Sequence, residues 1–339
     1  MLKMAAMPWV SSDSVSPKNR ARGLARVRPA LDAADGLAVI ELEKALELRT
    51  QLAWNKEIAV LEGFYAFDEI AQFQAHAISA VVHTAEQIDM LARAEPGARI
   101  KVYLKLNSGM NRLGFPLSQA DKAYAQLRTC PAVGEIVLAT HFARADEPEG
   151  ERAQLAAFKH AIANLPPLAI SISNSAATTK FGIIGGDYVR PGIMLYGSSP
   201  VEGESALSLD LRPVMHLNTQ VIAVQTVAAG ESVGYGGSFV AARMSQIAVL
   251  AAGYADGYPR SAPQGTPVWV EGMRVPLVGR VSMDKITVDV TDALQVRVGS
   301  AAQLWGDQIS VDEVAAHAGT ISYELLTALA ARVPASVIY

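Results

Sequence analysis

A single cysteine, Cys130, stands among 339 residues, so neither a disulfide framework nor a cysteine metal cluster is available. That usage fits a reducing cytoplasm. Basic residues do not outnumber acidic ones: 29 Lys and Arg against 33 Asp and Glu leave a formal charge of −4. A basic footprint for nucleic acid and a polybasic membrane signal are both missing. No apolar run reaches the about 18 residues that a membrane-spanning helix needs. The N-terminal MLKMAAMPWVSSDSVSPKNRARG has an apolar stretch too short, and too broken by Pro8, for a signal peptide. No internal repeat and no low-complexity segment occur. What remains is a chain that is 50% apolar and long enough for two domains, whose expected partner is a small molecule or another protein.

From residue 24 to about 200, short apolar β-branched runs alternate with amphipathic helical stretches, the rhythm of βα units. GLARVRPALDAA (23–34) reads as a helix, GLAVI (36–40) as a buried strand and ELEKALELRTQL (41–52) as a helix. Further strands are expected at 57–63, 79–84, 99–109, 134–142, 168–176 and 188–197. Seven strands after the first helix need one more to close an eight-stranded barrel, and it must lie before Gly23. Polar residues cluster just past four successive strand ends, in SGMNRLG, HFARADE, NSAATT and RPG, where barrel active sites are built. A doubly wound open sheet would gather them at one switch point instead. After about residue 205 the texture changes to strands and Gly-rich turns, which predicts an antiparallel β domain closed by one late helix over 321–333. The domains are expected at 1–205 and 206–339.

Eight strings occur in order: LKLNSGMNRLGF (104–115), THFARADE (140–147), SNSAAT (173–178), DYVRPGIMLYG (187–197), VGYGGSF (233–239), AGYADGYPR (252–260), VGRVSMDKITVDV (278–290) and ISYELLTALAARVP (321–334). Together they resemble the alanine racemases, barrel-type enzymes of pyridoxal 5'-phosphate, from about residue 24 to the end. The resemblance implies a (β/α)8 barrel with a C-terminal β domain, a homodimer with shared active sites, and interconversion of L- and D-alanine for D-alanine supply or alanine catabolism. It implies no metal. Racemisation removes the α-proton on one face and returns it on the other, so two bases must flank the reacting carbon. The resemblance assigns one to Tyr235 of V-G-Y-G, contributed by the partner subunit, and the other to the lysine that carries the cofactor.

By the same resemblance, Arg190 meets the pyridine nitrogen, where an always-charged guanidinium keeps that nitrogen unprotonated. Ser175, Gly192, Ile193 and Tyr323 correspond to the phosphate ligands. Arg112 corresponds to the arginine near the cofactor's phenolic oxygen and the substrate carboxylate, and Lys105 to a lysine that can be carbamylated. Met283 and Asp284 meet the substrate carboxylate from the partner subunit, Tyr254 lines the substrate entrance, and His141 stands beside the ring. Each type also has a plainer use: Tyr235 as an aromatic in a Gly-flanked hairpin, Met283 as core filler, His141 as a structural histidine.

The family's K-A-N-A-Y-G-H-G is not intact. The corresponding stretch reads S-P-K-N-R-A-R-G (16–23), and counting back from Gly23 puts Ser16 in the lysine's place. Lys18 reaches it only across a two-residue deletion. Residues 4–12, MAAMPWVSS, would have to supply the first barrel strand, although Pro8 cannot donate to a central ladder. Three readings stay open: a remodelled N-terminus with Lys18 as the displaced lysine, a truncated or frame-shifted product, or a descendant that binds cofactor without racemising. A racemase of serine or a basic amino acid, and a non-catalytic dimerisation protein, are the other candidates.

Overall fold

The computed structural model describes residues 2–6, 34–95, 97–181 and 186–336, the first of these by backbone alone. They fall into two compact units. One comprises 2–6, the described part of 34–194 and 200–203, and the other 195–199 and 204–336.

The strands of the first unit are β1 (Leu2–Ala6), β2 (Gly36–Val39), β3 (Glu57–Val60), β4 (Ser79–Val82), β5 (Ile100–Asn107), β6 (Phe115–Pro116), β7 (Val133–Ala139), β8 (Ile170–Ser173) and β9 (Tyr188–Val189). All pair in parallel. Leaving out the short β6, they close into a ring of eight, β1-β2-β3-β4-β5-β7-β8-β9 and back to β1. Strand β1 closes it, with Ala6 opposite Ala38 on one side and Lys3 opposite Val189 on the other. The barrel expected from the strand count is present, and its first strand lies before Gly23. That strand is 2–6 rather than 4–12: it ends ahead of Pro8, which has no N–H for a ladder. The helix expected over 23–34 lies outside the described residues but for its last position.

Every residue of β2 and β4 is buried, because the strand ring has side chains on its inside and helices on its outside. The helices are α1 (Leu42–Gln51), α2 (Ile70–Ala75), α3 (Ala85–Arg93), α4 (Ala120–Thr129), α5 (Arg152–Ala161) and α6 (Ser175–Phe181). In α3 the Thr84 hydroxyl caps the first turn by accepting from Gln87 N, and Ile88 and Leu91 turn inward. Inside the ring, Ala38, Ala59, Val81, Tyr103, Val137, Ala139 and Tyr188 form one apolar layer. Below it the barrel floor is polar and self-satisfied. Lys101 Nζ donates to Glu57 Oε2 at 3.1 Å and to Tyr188 Oη at 2.7 Å, and Tyr103 Oη donates to Glu57 Oε1 at 2.8 Å. Three alanines in the layer above leave open space toward the carboxyl ends of the strands.

The second unit is antiparallel, with β10 (Leu217–Val227), β11 (Ser232–Val233), β12 (Phe239–Val240), β13 (Ser245–Leu250), β14 (Pro267–Val270), β15 (Met273–Pro276), β16 (Ile286–Asp289) and β17 (Ala301–Trp305). Six of them form a sheet in the order β15-β14-β17-β10-β13-β16. A register shift between Val221 and Ala223 divides β10, whose first half pairs with β17 and whose second half pairs with β13. The bridge Leu277↔Val288 draws the two ends of the order together. Two helices follow, α7 (Val311–Ala318) and α8 (Ser322–Thr327). The late helix therefore ends six residues short of the expected 333, because Ala330 N is drawn off to donate to Asp256 O at 3.2 Å.

Candidate active site

The carboxyl ends of β2, β3, β4, β5, β7, β8 and β9 line a cavity of about 420 Å3 whose walls include Ile40, Leu61, Glu62, Tyr103, Lys105, Arg112, His141, Ser171 and Arg190. Arg190 follows β9 directly, and its backbone N–H donates to Ser173 O at 2.9 Å. Its guanidinium is held by two acceptors, Ser171 Oγ at 2.6 Å and Thr140 O at 2.9 Å, and lies 3.5 Å from His141 Nδ1. The fork is thus aimed by groups on two neighbouring strand ends.

Four basic groups share this low-dielectric mouth, and His141 and Lys105 feel the positive charges of the others. Burial first, then the positive charges of Arg190, Lys105 and Arg112, depress the His141 pKa to about 3. Burial, then Arg190 and Arg112, bring Lys105 down to about 8, with Glu62 pulling weakly the other way. Loss of solvation brings Arg190 to about 10, which still leaves it charged. At neutral pH the site therefore holds a neutral imidazole beside two guanidinium groups and one destabilised ammonium. Such a set suits an anionic ligand.

At its edge, Asn174 caps α6 by accepting from Ala177 N at 3.0 Å, which presents Ser175 at the helix start. Gly192 N donates to Ser175 Oγ at 2.7 Å, so Ser175, Gly192 and Ile193 meet at one strand-to-helix junction.

Of the remaining residues singled out in the sequence, Tyr235, Tyr254, Met283, Asp284 and Tyr323 belong to the second unit. Tyr235 opens a short helical turn between Gly234 and Gly236, both with positive φ, and is 73% exposed. Tyr254 begins another such turn, and Met283 is 53% exposed. These last two adjoin: Tyr254 N donates to Ser282 O at 3.1 Å and Ala255 N to Met283 O at 2.9 Å. Tyr323 is the second residue of α8 and half-exposed. Lys18 lies outside the described residues. Among the described residues no cluster of His, Cys, Asp and Glu could hold a metal ion, and no helix is long and apolar enough to cross a membrane.

Three contributors carried no sequence signal strong enough to single them out. Ser171 is one of two serines that alternate with isoleucine in β8, and it lines the cavity. Glu62 follows β3 at the cavity wall. Gln154 sits on the buried face of α5 one turn before Phe158, and its amide joins two strand ends by donating to Ser108 Oγ and His141 O, both at 3.2 Å.

Residues 18–200 match the family model described as "Alanine racemase, N-terminal domain", and residues 214–337 the one described as "Alanine racemase, C-terminal domain". Alanine racemase of Janthinobacterium sp. (strain Marseille) is 47% identical over 315 residues, covering 92% of this chain and 87% of that protein. The solved biosynthetic alanine racemase from Pseudomonas aeruginosa superposes with a TM-score of 0.89 at 41% identity, over 98% of this chain and 91% of that one. Alanine racemase from Bartonella henselae with covalently bound pyridoxal phosphate gives a TM-score of 0.81 at 28% identity, over 97% and 90%.

Proposed function

The chain belongs to the alanine racemase family, and we propose that it interconverts L-alanine and D-alanine with pyridoxal 5'-phosphate, in the cytoplasm, as a homodimer with shared active sites. The observation that carries this reading is the fixed Arg190 fork beside a neutral His141 at the mouth of a cavity of about 420 Å3. The residues present fit the cofactor. Aliphatic walls suit a ring, Arg190 suits an unprotonated pyridine nitrogen, and Ser175 with the backbone of Gly192 and Ile193 suits a phosphate. When bound, the cofactor supplies an electron sink for the pair left at the substrate α-carbon.

The protein's own groups then divide the work. Arg190 withholds a proton from the ring nitrogen, since a guanidinium does not give one up near neutrality. His141, kept neutral, accepts from Arg190 and holds its plane. Arg112 orients the substrate carboxylate together with the backbone N–H groups of Met283 and Asp284 of the partner subunit. Tyr254 and Tyr323 narrow the side-chain slot to a methyl group. Tyr235, presented on an exposed turn for the partner's site, moves the proton at its Oη on the L-alanine face, and Lys18 serves the D face. Lys105 is the candidate for carbamylation: its neutral amine adds carbon dioxide to form an N–C bond and releases a proton, replacing a destabilised cation by an anion beside Arg112.

A second reading, a family member that binds the cofactor without racemising, is favoured by one observation: S-P-K-N-R-A-R-G stands where the family has K-A-N-A-Y-G-H-G. The test is to load purified protein with pyridoxal phosphate, follow D-alanine formation and α-deuterium uptake in D2O, then reduce with borohydride and map the modified lysine. Product formation with the label on Lys18 is expected. A label on Lys3 of β1 would move the first base to that strand, and no label with no turnover would establish the second reading.

A further inference from the structure

The turns carrying Tyr254 and Met283 are laid backbone against backbone, and the closeness is extreme at one point. A Cβ on Gly253 would fall 2.3 Å from both Ser282 O and Met283 O, so only glycine admits the approach. Two backbone hydrogen bonds, Tyr254 N to Ser282 O and Ala255 N to Met283 O, run between the turns. Each turn also carries a carboxylate next to its site residue: Asp256 two positions after Tyr254, and Asp284 directly after Met283.

Both carboxylates converge on one side chain from the C-terminal segment. Arg332 Nε donates to Asp256 Oδ1 at 2.8 Å, and an Arg332 Nη donates to Asp284 Oδ1 at 2.5 Å. The other Asp256 oxygen accepts from Gly253 N at 2.9 Å, which fastens the Tyr254 turn to the same carboxylate. The segment is seated independently by Ala330 N donating to Asp256 O at 3.2 Å. All of these residues lie in the second unit.

An exposed ion pair adds little to global stability, because water solvates the separated charges nearly as well. A guanidinium shared between two turns has a different consequence: its rigid, planar fork fixes the separation of the two carboxylates. We propose that Arg332 is a positioning residue that straps the Tyr254 and Met283 turns together through Asp256 and Asp284, and so sets the width of the substrate slot that favours alanine over serine. This rests on the assignment of Tyr254 and Met283 to the substrate site. Arg332 itself acts only through the two aspartates.

The experiment compares Arg332→Gln and Arg332→Lys with the unaltered protein, all loaded with pyridoxal phosphate. Amide hydrogen exchange over 253–258 and 282–285 is read against β13, alongside kcat and KM for L-alanine and L-serine. With Arg332→Gln, exchange at Tyr254 and Ala255 is expected to quicken about tenfold while β13 keeps its protection. KM for alanine rises about threefold or more, kcat stays within about twofold, and the serine-to-alanine ratio of kcat/KM increases. Arg332→Lys recovers part of each effect, since one ammonium can hold one carboxylate. Unchanged exchange overturns the strap, as does a fall in kcat alone with KM and selectivity untouched. If the unaltered protein does not racemise alanine, the assignment of the substrate site fails, and exchange alone still decides whether Arg332 holds the turns.

Discussion

Arg190 stands 3.5 Å from His141 Nδ1, and the contact has a definite polarity: the guanidinium donates and the imidazole accepts. The acceptor role requires an unprotonated Nδ1, which agrees with a pKa pulled down to about 3 by burial and by three nearby cations. The ring is therefore expected to stay neutral throughout the range in which an ordinary histidine, near 6.5, takes up its proton. Because the folded pKa lies below the unfolded one, the unfolded chain binds more protons under pH 6.5, and this group's contribution to stability is lost progressively as the pH falls from there toward about 3. Imidazole 15N shifts recorded from pH 5 to 8 test this; a midpoint near 6.5 for His141 would refute it.

Lys105 makes the opposite kind of statement at the alkaline end. Its pKa, lowered from 10.5 to about 8, means that the unfolded chain holds the extra proton between those values, so stability should climb as the pH rises through that window. Lys105→Met should flatten the climb, measured by urea unfolding at pH 7.5, 8.5 and 9.5 without bicarbonate. Supplying 13C-bicarbonate should extend the climb to lower pH, because the carbamate also leaves the folded chain without that proton, and should produce a carbamate carbon signal that Lys105→Met lacks. A climb of equal slope in Lys105→Met and in the unaltered protein would remove Lys105 from the account.

Much of the barrel is legible in the sequence because its strands are buried on both faces. GLAV, and the IAV and AVV of EIAV and SAVV, read as short apolar runs, and each proves to lie in a strand that ends within three residues of its expected end. The residues of the proposed site are legible where they lie just past a strand, as Arg190 follows β9 and His141 stands two residues beyond β7. What escapes is set by partners far along the chain. Strand β1 is five residues whose β character comes from β2 and β9 on either side, and nothing in L-K-M-A-A separates it from an alanine-rich stretch that reads as helix by pattern. Gln154 reads as one more polar residue on a helix until folding lays it under Ser108 and His141. The last helix looks continuous to 333 by its periodicity, and a single long-range bond from Ala330 to Asp256 ends it early.

The core of the second unit holds a sharper stability prediction. Tyr258 is 1% exposed and stacks on Trp305 at 6.1 Å, and its hydroxyl has no hydrogen-bond partner among the described residues. Burying an unpaired hydroxyl costs about 1–3 kcal/mol, and the stacking belongs to the ring rather than to the oxygen. Tyr258→Phe should therefore be neutral or stabilising by up to about 1 kcal/mol. Chemical denaturation of holo protein at fixed concentration measures it. A loss above about 1 kcal/mol would reveal a partner for that hydroxyl.

Tyr235 separates chemistry from folding more cleanly than any other residue of the proposed site. At 73% exposed, its side chain contributes little packing to its own chain, so Tyr235→Phe should unfold within about 1 °C of the unaltered protein. Removing a general base or acid lowers rates by about 10²–10⁴-fold, and kcat for L-alanine should fall by that order with a much smaller change in KM. The two directions of the reaction should lose equally at equilibrium, because substituting one base cannot alter the ratio of the isomers. α-Deuterium uptake gives the finer reading. A protein left with one base acts on one face, so D-alanine incubated in D2O with Tyr235→Phe should exchange its α-hydrogen faster than it yields L-alanine, whereas L-alanine should do neither at a comparable rate. Equal exchange from both isomers would show that Tyr235 is not the base on the L face, and a Tm lowered by several degrees would show that the hydroxyl serves the fold.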